Sequence, residues 1–461
     1  MSWQTPLALL REELTQRRDE GVVVPDALAS EIAALDPRAP YDARIETLYD
    51  AVMALPEDAA LAAAEPNELE AIRALRPAGP RDLGWAPADT EALERFHGAW
   101  TGRAVGCALG KPVEGMGMST DADGRVVGRL RIRDYLERRG DWPLRDYFSG
   151  RDAGDGARLW CPASQREHIA FMEPDDDIHY TLVALGVLEE SGPDFDWQTV
   201  ARYWLAHIPI YSICTAEAQA IQTFQNRSTR PGCFTCAATP AETRRHRNPY
   251  REWIGAQIRS DGWAWVAAGK PELASELAWR DASWTHERNG IYGEMMFAAI
   301  QAAAFVEHDP RRLVEIGLSE IPAASRLARG VRDVLGWVKS EPTFEACAAR
   351  IENAYLGMSP VHTINNALLS VAALFYGEMD TARAITTAVM MGHDTDCNGA
   401  TVGSIVGAAR GRTRFGEELA GRLHDTIKPR VAGFETVTMR ELAVRTLAQF
   451  RRVEAYARAR G

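Results

Sequence analysis

The chain has 461 residues, 46% of them hydrophobic, a net charge of −12 and a pI of about 5.5. That length buries a large core, as several domains or as one large helical domain with an added segment. The acidic balance argues against a general nucleic-acid binder, which presents a basic face. It leaves room for a small anionic substrate, because a bound metal inverts the local field.

The first thirteen residues hold an apolar stretch too short for a signal-peptide core, followed at once by mixed charge. No apolar run approaches the ~20 residues that a membrane span needs. The seven cysteines are odd in number and scattered, unlike a disulfide framework. A soluble cytoplasmic protein is the expectation. Cys233 and Cys236 form a lone CxxC with His246 as its one nearby companion, short of a structural zinc site, so they read as loop cysteines.

Residues 1–88 are rich in Ala, Leu, Glu and Arg. Windows 7–18, 26–35, 45–54 and 67–75 have the period of short amphipathic helices. Residues 76–87, with their Pro and Gly, read as a linker. The segment carries no chemical motif and is expected to be a helical extension, ahead of a second unit over residues 89–461.

Beyond it the pattern is helical at 93–109, 178–190, 197–207, 215–224, 271–283, 292–307, 346–356, 363–376, 379–391 and 398–409. Strand-like alternation is scarce, and residues 125–132 are the best candidate, in a short hairpin. Residues 141–165 and 225–249 look irregular, a pattern often found in lids. The fold class is all-α.

Four stretches carry chemistry. Gly102, Gly106 and Gly110 recur at spacing four on one helix, and Pro112 and Glu114 follow in the turn that ends it. Asp175-Asp176-Asp177 opens an apolar helix, and three acids are more than capping needs. Asp394-Thr395-Asp396 opens another, with Gly399, Gly403 and Gly407 behind it. His286, Asn289, Tyr292 and Glu294 crowd a turn between helices, where a satisfied polar network is the plain alternative. Carboxylates packed so closely repel, and burial would make them hold protons. A hard divalent cation with oxygen ligands removes the conflict, so the two distant acidic clusters point to one metal site.

In this order the stretches resemble the ADP-ribosylglycohydrolase family. The resemblance implies an orthogonal all-helical bundle with a two-metal centre, Mg²⁺ first and Mn²⁺ or Ca²⁺ as alternatives. It implies hydrolysis of the bond between a ribosyl anomeric carbon and an N- or O-linked acceptor. Asp175, Asp176, Asp177, Asp394, Asp396 and Cys397 fall on the family's metal motifs, with Thr181 in register. Glu114, Asp177 and Asp394 take the catalytic positions, and Glu114 matches the acid after the glycine segment. Gly255, Arg259, His286, Asn289, Gly290 and Tyr292 fall on substrate-contacting stretches.

The sequence departs from the pattern at four places. Asp175 replaces a threonine and adds charge, while Cys397 replaces a hydroxyl with a thiol, a poor partner for a hard ion. Cys107 stands where Asp is common, and Ile254 where Asn is common. The expected partner is a small-molecule or ADP-ribosylated substrate, with no nucleic-acid groove and no membrane. A free ribonucleoside or other small N-riboside is the alternative, favoured if no Arg-rich phosphate pocket exists. A metal-stabilised binding protein without turnover is the other.

Overall fold

Two glycine-laddered helices, Asp89–Gly110 and Thr395–Arg410, run face to face at the centre of the protein. The structure, a computed structural model, describes residues 4–227 and 238–460. A Cβ on Gly102 would fall 1.9 Å from the carbonyl oxygen of Gly403, and one on Gly98 would fall 2.5 Å from that of Gly407. Only backbone fits in this seam, which is why glycine recurs on both partners. Every residue from Gly98 to Gly110 and from Thr395 to Ala409 is buried. Asn289–Ala304 is buried along its whole length as well. Helices apolar on all sides make sense only as a core wrapped by others.

Most expected helices form, among them Trp197–His207, Pro271–Ala282 and Thr363–Tyr376. The expected strand over residues 125–132 does not. Thr120 and Val126 make one isolated bridge, and a helix runs over Gly128–Arg139. Ile132, Tyr135 and Leu136 form its buried stripe at helical spacing, which outweighs the short alternation before it. Among the described residues the strands are one pair, Thr426–Ile427 against Val437–Thr438. The helices Pro310–Leu318, Arg326–Ser340 and Met439–Arg460 were not singled out in the sequence. Cys233 and Cys236 lie outside the described residues. No helix among those described is long and apolar enough to cross a membrane.

Residues 6–75 hold five short helices, of which the first three build a small core with Leu10, Ile32, Ile45 and Val52 at its centre, while Ile72 of the fifth joins the main core. Buried charges bind them to the rest of the chain. Arg251 pairs with Glu13 at 2.8 Å and Glu20 at 2.7 Å, and Arg326 pairs with Glu65 and Glu252 at 2.7 Å each. The expected linker is docked too. Arg76 and Arg81 both reach Glu320, and Trp85 packs among Phe96, Phe305 and Phe450.

Candidate metal and active site

The glycine seam ends where the acidic residues begin. A Cβ on Gly110 would lie 2.3 Å from the carbonyl of Thr395, whose hydroxyl donates to the Gly110 carbonyl at 2.8 Å. The N-terminus of one central helix, with Asp394 and Asp396, is thereby pressed against the C-terminal end of the other. Lys111 and Glu114 follow directly in the chain. The third component is the helix Asp176–Ser191, capped by Asp175, which accepts from the Asp177 amide at 3.0 Å.

Three trios of potential ligands converge there, each with ligand atoms within 4.8 Å of one another: Cys107, Asp175 and Asp177; Asp177, Asp396 and Cys397; Glu114, Asp394 and Asp396. Asp177 and Asp396 are shared, so the trios form one continuous cluster. Asp176 belongs to none of them but lines the same cavity. Cys107 was noted in the sequence only as a departure, and its place beside Asp175 follows from the seam.

The electrostatics are those of crowded acids. Asp396, then burial, pushes the Glu114 carboxyl well above the usual range. Burial, then Asp175 and Asp396, does the same to Asp176. Burial raises Asp394, with Asp396 and Glu114 adding to it, and burial first lifts Asp396 to about 6. Burial also raises Asp177, although Arg103 opposes it. Asp175 goes the other way: burial pushes it up, but Lys111, 3.0 Å from its carboxylate, holds it below the usual range.

Arg103 is the counter-charge at the back of the cluster. Its Nη2 donates to Asp177 Oδ1 at 2.7 Å, and its Nε lies 3.2 Å from Asp261 Oδ2. The other Asp177 oxygen, Oδ2, has no partner, nor do Asp394 Oδ1 and Asp396 Oδ1, and all are buried. Buried carboxylate oxygens without donors are costly unless a cation meets them. The donor set therefore fits divalent cations, with oxygen ligands in the majority and the thiols of Cys107 and Cys397 at the margin.

A cavity of about 550 Å³ opens onto the cluster. Glu114, Asp175, Asp176, Asp394, Asp396 and Cys397 form its acidic end. Tyr250, Trp253, Ile254 and Gly255 form one wall, and Ser359 to Val361 another. Glu217 and Glu12 add two more carboxylates. Gly255 is needed here, since a Cβ would sit 2.4 Å from a Glu217 oxygen.

A family model described as ADP-ribosylglycohydrolase matches residues 88–455. The chain belongs to the ADP-ribosylglycohydrolase family. Membership makes it a hydrolase of the glycosidase type, and the helical fold agrees. A solved structure described as "ADP-ribosylglycohydrolase-related protein complex" is similar at 20% identity, with a TM-score of 0.49, over 79% of this chain and 99% of that one. No curated protein matches.

In this ADP-ribosylglycohydrolase-family chain, Gly255 is the one expected substrate residue that lines the cavity. Arg259 is buried and spent on Asp281 at 2.6 Å, on Glu217 and on the Thr285 hydroxyl at 2.9 Å, so no free guanidinium reaches a substrate phosphate. His286 is buried, with Nδ1 on the Thr285 hydroxyl at 2.8 Å and Nε2 unpartnered. Asn289 donates to Glu65 at 2.9 Å and Glu252 at 2.8 Å, and the Tyr292 hydroxyl donates to the Pro66 carbonyl. Gly290 packs against the Arg251 carbonyl, 2.5 Å from where its Cβ would be. Residues 65 and 66 of the N-terminal segment thus occupy two of the polar groups that the sequence offered to a substrate, Asn289 and Tyr292. Asp177 lies behind the cavity lining, within the cluster. Glu12, Glu217, Tyr250 and Trp253 went unnoticed in the sequence, where no local motif marks them.

Proposed function

We propose that the protein is a metal-dependent hydrolase of the bond between a ribosyl anomeric carbon and an N-linked or O-linked acceptor. The observation that carries this reading is the convergence of three acidic trios with unpartnered buried oxygens at the floor of a cavity. Asp175, Asp177, Asp394 and Asp396 would hold two divalent cations, Mg²⁺ or else Mn²⁺ or Ca²⁺, with Cys107, Asp176 and Cys397 beside them. Bound there, such ions supply Lewis-acid polarisation of water and of sugar hydroxyls.

The chain's own groups do the rest. Glu114 lines the cavity beside the acidic cluster and can serve as the general acid that passes a proton to the departing nitrogen or oxygen. Water then attacks the anomeric carbon, and its proton replaces the one Glu114 gave up. The net change is one C–N or C–O bond broken and one C–O bond formed. Asp176, at the acidic end and outside the ligand trios, would favour the positive charge that builds on the sugar ring. Asp177 would act as a ligand through Oδ2 and not as a group touching substrate.

Charge separates the two acceptor classes. The described lining holds seven carboxylates, from Glu12, Glu114, Asp175, Asp176, Glu217, Asp394 and Asp396, and no Lys, Arg or His. Beyond the metal end a diphosphate would meet apolar and neutral groups with the carboxylates of Glu12 and Glu217, and no cation of the described lining. The reading therefore favours a phosphate-free N-riboside over an ADP-ribosyl substrate. The test is turnover with added Mg²⁺, Mn²⁺ or Ca²⁺ on nucleosides, nicotinamide riboside and ADP-ribosylated arginine and serine, with the Asp394→Ala, Asp396→Ala double variant as control. Metal-dependent release of base, lost in the variant, is expected. Release of ADP-ribose alone would overturn the preference, and no turnover with any metal would overturn the hydrolase.

A further inference from the structure

The N-terminal segment contributes one residue to the lining of the cavity. Glu12, on the helix Pro6–Asp19, lines the cavity beside Tyr250 and Trp253. Tyr250 belongs to the small core built by residues 7–52, and Trp253 packs against that core. Their ring centroids are 4.5 Å apart with planes tilted by 58°. The segment therefore contributes a carboxylate and fixes two aromatic rings of the same lining.

Glu12 stands apart from the other acids of this segment. Glu13 is engaged by Arg251 and by the Tyr49 hydroxyl, Glu20 by Arg17 and Arg251, and Glu65 by Arg326. Among the described residues no ion pair or hydrogen bond engages the Glu12 carboxylate, and burial raises its pKa. An acid without a counter-charge, set beside aromatic faces, is the chemistry that receives an organic cation: the carboxylate supplies charge and the rings supply cation–π attraction.

We propose that Glu12, Tyr250 and Trp253 form a subsite for a planar organic cation, and that Glu12 is a specificity-determining residue selecting ribosides whose leaving group is positively charged. The assignment of the occupant as a leaving group rests on the hydrolase reading; the cation subsite itself does not. In the reaction a pyridinium-type leaving group departs with the bonding electron pair as a neutral base, while water supplies the oxygen to the anomeric carbon and releases one proton. A guanidinium-type group, already protonated, likewise departs with the bonding electron pair as a neutral guanidine, and the proton released by the attacking water restores the balance. In both cases the positive charge sits beside the aromatic rings in the ground state, where Glu12 meets it.

Two measurements test this on the full chain with Mg²⁺ present. The first is calorimetric binding of 1-methylnicotinamide, a pyridinium that cannot be hydrolysed here, against neutral nicotinamide. Wild type is expected to prefer the cation by about tenfold, with Glu12→Gln and Trp253→Leu each erasing most of that preference. The second is kcat/KM for nicotinamide riboside against uridine, with the ratio expected to fall about tenfold in Glu12→Gln through KM. Glu12 is partly exposed and its glutamine variant is isosteric, and circular dichroism with the thermal midpoint checks that it folds. Equal cation preference in wild type and Glu12→Gln overturns the subsite even if ribosides are hydrolysed. A Glu12-dependent cation preference without any turnover keeps the subsite and removes the hydrolase reading.

Discussion

Gly106 and Gly399 touch through their backbones: a Cβ on Gly106 would lie 2.0 Å from the Gly399 carbonyl oxygen, and one on Gly399 would lie 2.6 Å from that of Gly106. One helix leads into Glu114 and the other begins at Asp394, so this contact sets how near the acids can be.

Gly106→Ala is therefore expected to cost about 3 kcal/mol in urea unfolding of the metal-free protein, because overpacked helices must part. Mn²⁺ affinity should fall with it. Gly336→Ala, where a Cβ meets nothing within 4 Å on the helix Arg326–Ser340, should instead stabilise by about 0.5–1 kcal/mol. If both alanines behaved alike, the seam would not be what holds these helices together.

Metal-free wild type keeps repelling carboxylates at close range, and their removal relieves that repulsion. The Asp394→Asn, Asp396→Asn double variant is expected to melt no lower than wild type without metal. It should then fail to gain from Mg²⁺ or Mn²⁺, whereas wild type at about 100 times its Kd gains about 2.7 kcal/mol. Differential scanning calorimetry with and without metal reads both halves.

Arg103 is the buried counter-charge for Asp177 and Asp261. Arg103→Met strands two acids in the core and should cost about 3–5 kcal/mol. Adding Asp261→Asn to that variant should recover part of the loss, as measured in a double-mutant cycle.

His362 gives the fold a pH dependence of known sign. Its Nδ1 accepts from the Ile364 amide at 3.1 Å, at the start of Thr363–Tyr376. Burial, opposed by Glu252 and aided by Arg326, pulls the imidazole down to about 4 from its ordinary 6.5. The unfolded chain therefore takes up a proton first, and stability is full above pH 6.5 and lost as pH falls toward 4. Between pH 7.5 and 4.5 this group should cost about 2.5 kcal/mol. His362→Asn keeps a capping acceptor and should flatten the urea-midpoint profile by that amount relative to wild type.

The acidic cluster could be anticipated because its residues come in runs: adjacent aspartates before apolar helices are visible without coordinates. The glycine spacing gave away a close helix contact, though not which helix answers it. The cavity walls were another matter. Glu12, Glu217 and Tyr250 meet only after distant segments fold, and no local pattern joins them. Arg259, Asn289 and Tyr292 looked available because a sequence shows a polar side chain and hides its partner. Here Asp281, Glu65 and Pro66 reach them first. Gly128–Arg139 was misread because Leu130 and Ile132 alternate with arginines just after Val126, where its helical stripe begins.

The ion pairs that fasten the N-terminal segment also impose an order on synthesis. Glu13 lies 238 residues before Arg251, and Glu65 lies 261 before Arg326. At ribosomal rates the early acids wait on the order of 10–50 s for their arginines to be made. During that interval Glu13 and Glu20 have only local partners, among them the Tyr49 hydroxyl and Arg17, while Glu65 waits for Arg326. The cavity joins Glu12 to residues 394–397, so its lining is complete only when segments more than 380 residues apart have both been made.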